Sequence, residues 1–226
     1  AVAVNSAMSG LHCALAAAGA GAGQEVICDP MVQFGSMAVL YHNAVPVFAD
    51  VRRDTHQIDP ESIRARITER TKAIVCTHLW GLPADMDPIM EIAAEHGLAV
   101  IEDNAHGLYG EYKGRLTGTL GHMAVFSFQM SKQMALGDAG MVTTMEPRFV
   151  EGLLNVSGTK GLGALFPSIA WNYRLNEVIA ALGIVQLQRA RGYVESGIAN
   201  AEVYNEALRG VEWIRLQHVP PAHKHA

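Results

Sequence analysis

The chain has 226 residues, room for one domain or for one domain and part of a second. Half of them are apolar and 17% are charged, enough for a sizeable core and against disorder, collagen or coiled coil. Seventeen Lys and Arg against 22 Asp and Glu leave −5 with no dense basic run, so bulk attraction for nucleic acid is excluded. The three cysteines, Cys13, Cys28 and Cys76, lie far apart without a CxxC, which argues against a disulfide framework or a thiolate zinc site. No apolar run approaches the roughly 20 residues that span a bilayer. These features lead to the expectation of a soluble cytoplasmic enzyme.

In chain order, AVAVNS already reads as a strand over Ala1–Val4, with no charged lead before it, so a signal peptide is not expected. Further strands are expected at Glu25–Cys28, Pro46–Ala49, Lys72–Cys76, Ala99–Glu102 and Met123–Phe128. Helical periodicity fills the gaps at Ser9–Ala18, Gly35–His42, Pro60–Ile67 and Asp85–His96. Alternation of this kind means βα units and a mostly parallel sheet flanked by helices. Burial on both faces explains why VIC, AIVC and AVI are continuously apolar. Asp59 before Pro60 and Gly97 after His96 supply a helix start and a helix stop.

After Gly140, MVTTM reads as one more strand and Pro147–Val156 as a helix. SGTKGLGALFPS has no periodicity and is expected to be a mobile loop. Leu175–Arg189 and Glu195–Leu208 read as two long amphipathic helices, the second leading into a strand at Val211–Leu216. The tail HVPPAHKHA, with His218, His223 and His225, is expected to be solvated rather than metal-binding. A boundary near Gly192–Ser196 divides a large α/β domain, residues 1–192, from the start of a second one, 193–226. The chain is expected to be the interior piece of a longer protein.

Ligands of open α/β sheets collect outside the carboxyl ends of the strands. Asn5 and Ser6, Asp29, Asp103, Ser127 and, just beyond, Lys132 are expected on that rim. Lys132 lies among small and apolar residues, where a partly dry site disfavours the ammonium and frees a nucleophilic amine. Spacing alone also allows an ordinary surface lysine. Asp103 reads as a ligand or catalytic group, with helix capping and metal ligation as alternatives. The first helix offers free N–H groups and a partial positive charge to a phosphate, though Ser6 also reads as a plain cap. GAGAG at Gly19–Gly23 is not GxGxxG and follows the helix rather than preceding it, so a dinucleotide site is rejected.

A nucleophilic lysine, a buried acid and a phosphate-binding helix end are together what pyridoxal phosphate requires. The chain resembles the DegT/DnrJ/StrS aminotransferases, the sugar-aminotransferase branch of the fold-type I pyridoxal-phosphate enzymes. The likeness runs from Ala1 to about Glu212 and is strongest in HLWGLPADMDPIMEIAAEHGLAVIEDNAH, YKGRLTGTLGHMAVFSF with the SK that follows, and NYRLNEVIAALGIVQL. The resemblance implies a cofactor-binding large domain followed by the start of an α+β small domain. It makes Lys132 the Schiff-base lysine, Asp103 the acid paired with the pyridine nitrogen and His106 a neighbour of the phenolic oxygen. Phe34 would stack on the ring. Ser127 and the backbone N–H groups of Met8 and Ser9 would hold the phosphate, and Asn172 would reach the phosphate of a neighbouring subunit, which implies a homodimer with shared sites.

Two departures stand out: Ser6-Ala7-Met8 where the family has SGT, and GDAG at Gly137–Gly140 where it favours GEGG. The implied reaction moves an amino group from glutamate or glutamine to a keto-sugar, in nucleotide-linked form, or a keto-cyclitol. Alternatives are an aminohydroxybenzoate-synthase-like enzyme, which shares a histidine at the place of His106, a dehydratase, against which Lys132 argues, and a cofactor-binding protein without turnover.

Overall fold

The structure is a computed structural model that describes residues 1–159 and 169–226. In chain order the elements are β1 (Val2–Val4), α1 (Ala7–Ala17), β2 (Glu25–Cys28), α2 (Gln33–Leu40), β3 (Val45–Phe48), α3 (Pro60–Arg66) and β4 (Thr71–Thr77). A single 3-10 turn, Leu79–Gly81, leads to α4 (Met86–His96), β5 (Ala99–Asp103), β6 (Glu111–Tyr112), β7 (Arg115–Leu116), β8 (Met123–Ser127) and β9 (Gly140–Thr144). The chain continues through α5 (Pro147–Ser157) and α6 (Glu177–Leu208) to β10 (His223–Lys224).

Seven strands form one sheet in the order β1-β9-β8-β5-β4-β2-β3. Strands β8, β5, β4, β2 and β3 are mutually parallel, and β9 runs antiparallel to both of its neighbours. Alternate side chains of each strand enter different cores. Val75 packs with Leu11, Val39, Ile101 and Phe149 on one face, whereas Ile74 and Cys76 pack with Ile63, Met86, Ile89 and Ile92 on the other. Both faces are therefore dry, and the parallel strands read as unbroken apolar runs. A third cluster, Phe128, Met134, Leu136, Ala139 and Ala190, joins the segment after β8 to α6.

Two expectations fail beyond residue 170. The two helices are one, α6, which runs unbroken through Gly192 and Gly197 because Ala190 and Val194 are buried and hold its middle down. Val211–Leu216 is not a strand: the Ile214 N–H bonds to the Val211 carbonyl in a turn. The tail, residues 218–226, is exposed or half-exposed along its length, yet it is held in place. Its His223 and Lys224 pair with Tyr112 and Glu111, and the Gln217 side chain donates to the Thr55 carbonyl at 2.7 Å. Of the loop expected at 157–168, Ser157 closes α5, and residues 160–168 lie outside the described residues. Among the described residues no helix is long and apolar enough to cross a membrane.

Candidate active site

The carboxyl ends of β1, β5 and β8 stop on one rim and place the chemistry. β5 ends on Asp103, only 2% exposed. Its Oδ1 accepts the Ala105 N–H at 3.1 Å, the one hydrogen bond its side chain makes among the described residues. Burial pushes its pKa up to about 6; the Ala105 bond opposes this, Asp29 adds to it and Lys132 opposes it. Lys132 follows β8 in a turn closed by its own N–H on the Gln129 carbonyl at 2.9 Å. Burial lowers its pKa, and Asp103 pulls the other way. A buried acid and a half-dry lysine thus share one site, each partly compensating the other.

The third part comes from α1. Ser6 is its N-cap, in extended conformation, and its Oγ accepts the Ser9 N–H at 3.1 Å. The Ser9 hydroxyl in turn donates to Asn5 Oδ1 at 2.6 Å. The backbone N–H of Ser9 is therefore engaged inside the cap, and among the described residues the donors left free at the helix start are those of Ala7 and Met8. Gly140 lets β9 approach this point, since a Cβ there would lie 2.5 Å from the Ser6 carbonyl carbon and 2.7 Å from the Ala7 nitrogen.

These parts surround a cavity of about 410 Å³, within the range of small-molecule sites. Its walls include Ser6, Ala7, Met8, Phe34, Asp103, Ser127 and Lys132. Phe34, near the start of α2, is 49% exposed, an apolar ring open to the cavity mouth. Three singled-out residues do not line it. Ser9 lies beneath the cap, and Asn172 is exposed, its carbonyl accepting from Asn5 Nδ2 at 3.4 Å. His106 stands behind Ala105, with Nδ1 accepting the Trp80 N–H at 3.3 Å. Burial and the Lys132 charge pull its pKa down to about 4. Gln129 and Ser131 also line the cavity, the Gln129 Oε1 accepting the Ser131 N–H at 2.8 Å. Nothing in the sequence singles them out although they lie within SFQMSK, since amides and hydroxyls in a loop carry no periodic signal.

Behind the rim, Glu102 is fully buried beside Asp103. It accepts the N–H groups of Gly118, Leu120 and Gly121 and the His78 Nε2–H, all at 2.7–2.8 Å. Burial raises its pKa, but the His78 bond and charge and the Gly121 and Gly118 N–H bonds prevail, and it stays below the usual range. His78 Nδ1 accepts the Ala84 N–H at 3.2 Å, which puts the ring proton on Nε2.

A mostly parallel sheet covered on both faces, with a lysine, a buried acid and a free helix start on its carboxyl rim, is the large domain of a fold-type I pyridoxal-phosphate enzyme. The chain belongs to the DegT/DnrJ/EryC1/StrS aminotransferase family, which it matches over residues 1–226. It is 35% identical over 213 residues to a GDP-perosamine synthase of Escherichia coli O157:H7, covering 92% of this chain and 58% of that protein. It is 39% identical over 209 residues to the spore coat polysaccharide biosynthesis protein SpsC of Bacillus subtilis (strain 168), covering 84% and 52%. Among solved structures it is similar to DesV of S. venezuelae in complex with a ketimine intermediate, at TM-score 0.93 and 34% identity over 99% of this chain and 61% of that one. An aminotransferase from Psychrobacter cryohalolentis gives TM-score 0.91 and 34% identity, covering 99% and 62%. The chain thus spans between about half and three fifths of the length of these relatives.

Pyridoxal 5'-phosphate is the cofactor of this family. The residues present fit it. Asp103 is a buried carboxyl with one hydrogen bond, suited to a cationic ring N–H, and the Ala7 and Met8 N–H groups are suited to a phosphate.

Proposed function

We propose that the protein carrying this chain is an aminotransferase that moves an amino group from glutamate or glutamine onto a keto-sugar, in nucleotide-linked form, or a keto-cyclitol during biosynthesis. The observation that carries it is the meeting of Lys132 and the buried Asp103 in one cavity at the open start of α1. Similarity to a GDP-perosamine synthase and to DesI, solved in the presence of its TDP-sugar product at 32% identity and TM-score 0.84, supports the sugar substrate. The three buried free cysteines suit a reducing compartment, the cytoplasm.

When bound, the cofactor supplies an electron sink for the negative charge that builds at the amino-bearing carbon. The residues do the rest. Asp103, anionic at neutral pH, holds the proton on the ring nitrogen. Lys132, whose ammonium form burial disfavours, would anchor the cofactor covalently and carry the proton to and from the reacting carbon. Ala7 and Met8 N–H groups and the Ser127 hydroxyl hold the phosphate, and Phe34 covers the ring. In our reading Asn172, at the protein surface beside Asn5, serves the phosphate of a second subunit, so the active form is a homodimer. Residues 1–192 form the cofactor domain and 193–226 begin the small one.

The test is borohydride reduction of the intact protein loaded with cofactor, followed by peptide mapping. The adduct is expected on Lys132 and absent from Lys132→Ala, which also loses turnover by orders of magnitude. An adduct on Lys113 or Lys160 refutes the assignment.

A further inference from the structure

His106 is held from behind by a chain of contacts that ends in the last residues described. Its Nδ1 accepts the Trp80 N–H at 3.3 Å, and its carbonyl accepts from the Gln133 side chain, next to Lys132. Trp80 sits at φ 58° and ψ 15°, a left-handed conformation that a bulky side chain adopts only when its surroundings enforce it. The enforcement is visible. The His225 Nε2–H donates to the Trp80 carbonyl at 2.7 Å, and the Ala226 N–H donates to the Gly81 carbonyl at 3.1 Å. Three segments converge so closely here that a Cβ on Gly81 would collide with the Ala226 carbonyl and lie 3.1 Å from the His106 carbonyl oxygen.

The strap that carries His225 is itself anchored. β10 pairs with β6, Lys224 Nζ lies 3.2 Å from Glu111 Oε1, and the His223 ring stands edge-on to Tyr112 at 4.9 Å. An imidazole whose Nδ1 accepts a hydrogen bond carries its proton on Nε2. The His106 Nε2–H has no protein acceptor among the described residues, so it is free to donate outward.

We infer that His225 is a positioning residue: by holding the Trp80 peptide left-handed from the far side, it locks His106, next in the chain to the cavity-lining Ala105, as the Nε2–H tautomer and keeps that donor free for the cofactor. The inference rests on the reading that the cofactor lies between Lys132 and Asp103. Burial and the charge of Lys132 keep His106 neutral, so a fixed tautomer, rather than an imidazolium with two donors, sets the direction of the bond. Without His225, Trp80 relaxes toward ordinary φ, its N–H leaves Nδ1, and both tautomers become available.

The experiment uses the intact protein with 15N-labelled histidine and needs no turnover. In the cofactor-free wild type the His106 nitrogens, assigned by their loss in His106→Gln, are expected as one bare Nδ1 and one protonated Nε2. In His225→Phe the Nδ1 resonance is expected to shift toward that of a protonated nitrogen, and His225→Gln, whose amide donates from a similar reach, restores it. His225→Asn, with an amide too short to reach the carbonyl, gives the same shift where the phenylalanine is poorly tolerated. In the cofactor-loaded protein the visible band is expected to move in the Phe variant and return in the Gln variant. An unchanged His106 tautomer in a folded His225→Phe overturns the inference, as does a changed tautomer with an unmoved band. Failure of the functional reading shows separately, as absence of a Lys132 adduct in the wild type.

Discussion

Asp103→Asn removes the charge from a carboxyl that is 2% exposed and whose pKa burial has raised from 3.8 to about 6. Between about pH 4 and pH 6 the unfolded chain releases this proton while the folded chain retains it. Stability therefore falls as pH rises through that window and stays lowered above it. Two units at about 1.4 kcal/mol each make about 3 kcal/mol. Asn carries no such penalty, and its amide oxygen can keep the Ala105 N–H. Cofactor-free Asp103→Asn is thus expected to be more stable than the wild type by up to about 3 kcal/mol near pH 8, the two converging below about pH 4. Urea unfolding of both proteins across that range measures the difference. With cofactor the sign reverses: the half-reaction with amino donor should slow by several powers of ten, each worth about 1.4 kcal/mol of barrier. An Asn variant no more stable than wild type at pH 8, or one that turns over normally, refutes the reasoning and returns Asp103 to a structural role.

Two further predictions concern the scaffold. Glu102→Ala strands three backbone N–H groups and the His78 ring proton in a dry interior, and should cost about 3–5 kcal/mol in urea unfolding; a loss below about 1 kcal/mol contradicts the burial of that network. Gly10→Ala places a Cβ 2.8 Å from Val125 Cγ1 and 3.1 Å from Val142 Cγ2. Overpacking of about 1–3 kcal/mol should outweigh the gain in helix propensity and lower the melting temperature; an unchanged or higher melting temperature shows that α1 does not sit tightly on the sheet.

The parallel strands were legible because burial on both faces writes them as apolar runs: VIC, AIVC and AVI lie within β2, β4 and β5. Asp103 and Lys132 were legible as residues on the rim because topology sends every parallel strand's carboxyl end to the same side. The length of α6 was not. Gly192 and Gly197 weaken helix propensity locally, and only the tertiary burial of Ala190 and Val194 keeps the helix whole. VEWIRL is rich in strand-forming Val, Trp and Ile, yet such propensity cannot supply the neighbour whose backbone a strand must bond. The division of labour at the start of α1 was half legible. The helix end was recognised, but which N–H groups stay free depends on Ser6 turning its hydroxyl back onto Ser9.

The attachment of β1 sets a timetable for biosynthesis. Its contacts in the sheet are Val2 with Val142, Ala3 with Met141 and Val4 with Gly140, all on β9. Strands β2 to β5 follow it from the ribosome and can pair among themselves as they emerge, at roughly 5–20 residues per second of elongation. β1 and the start of α1, made before them, have no place in the sheet until β9 has been translated. A nascent chain that ends at Lys132 therefore still lacks Gly140, the residue that closes on Ser6 and Ala7 at the start of α1. Leu11 and Leu15 of α1, which share a core with Val142 of β9 and Phe149 of α5, stay uncovered on that side until both of those elements have been made.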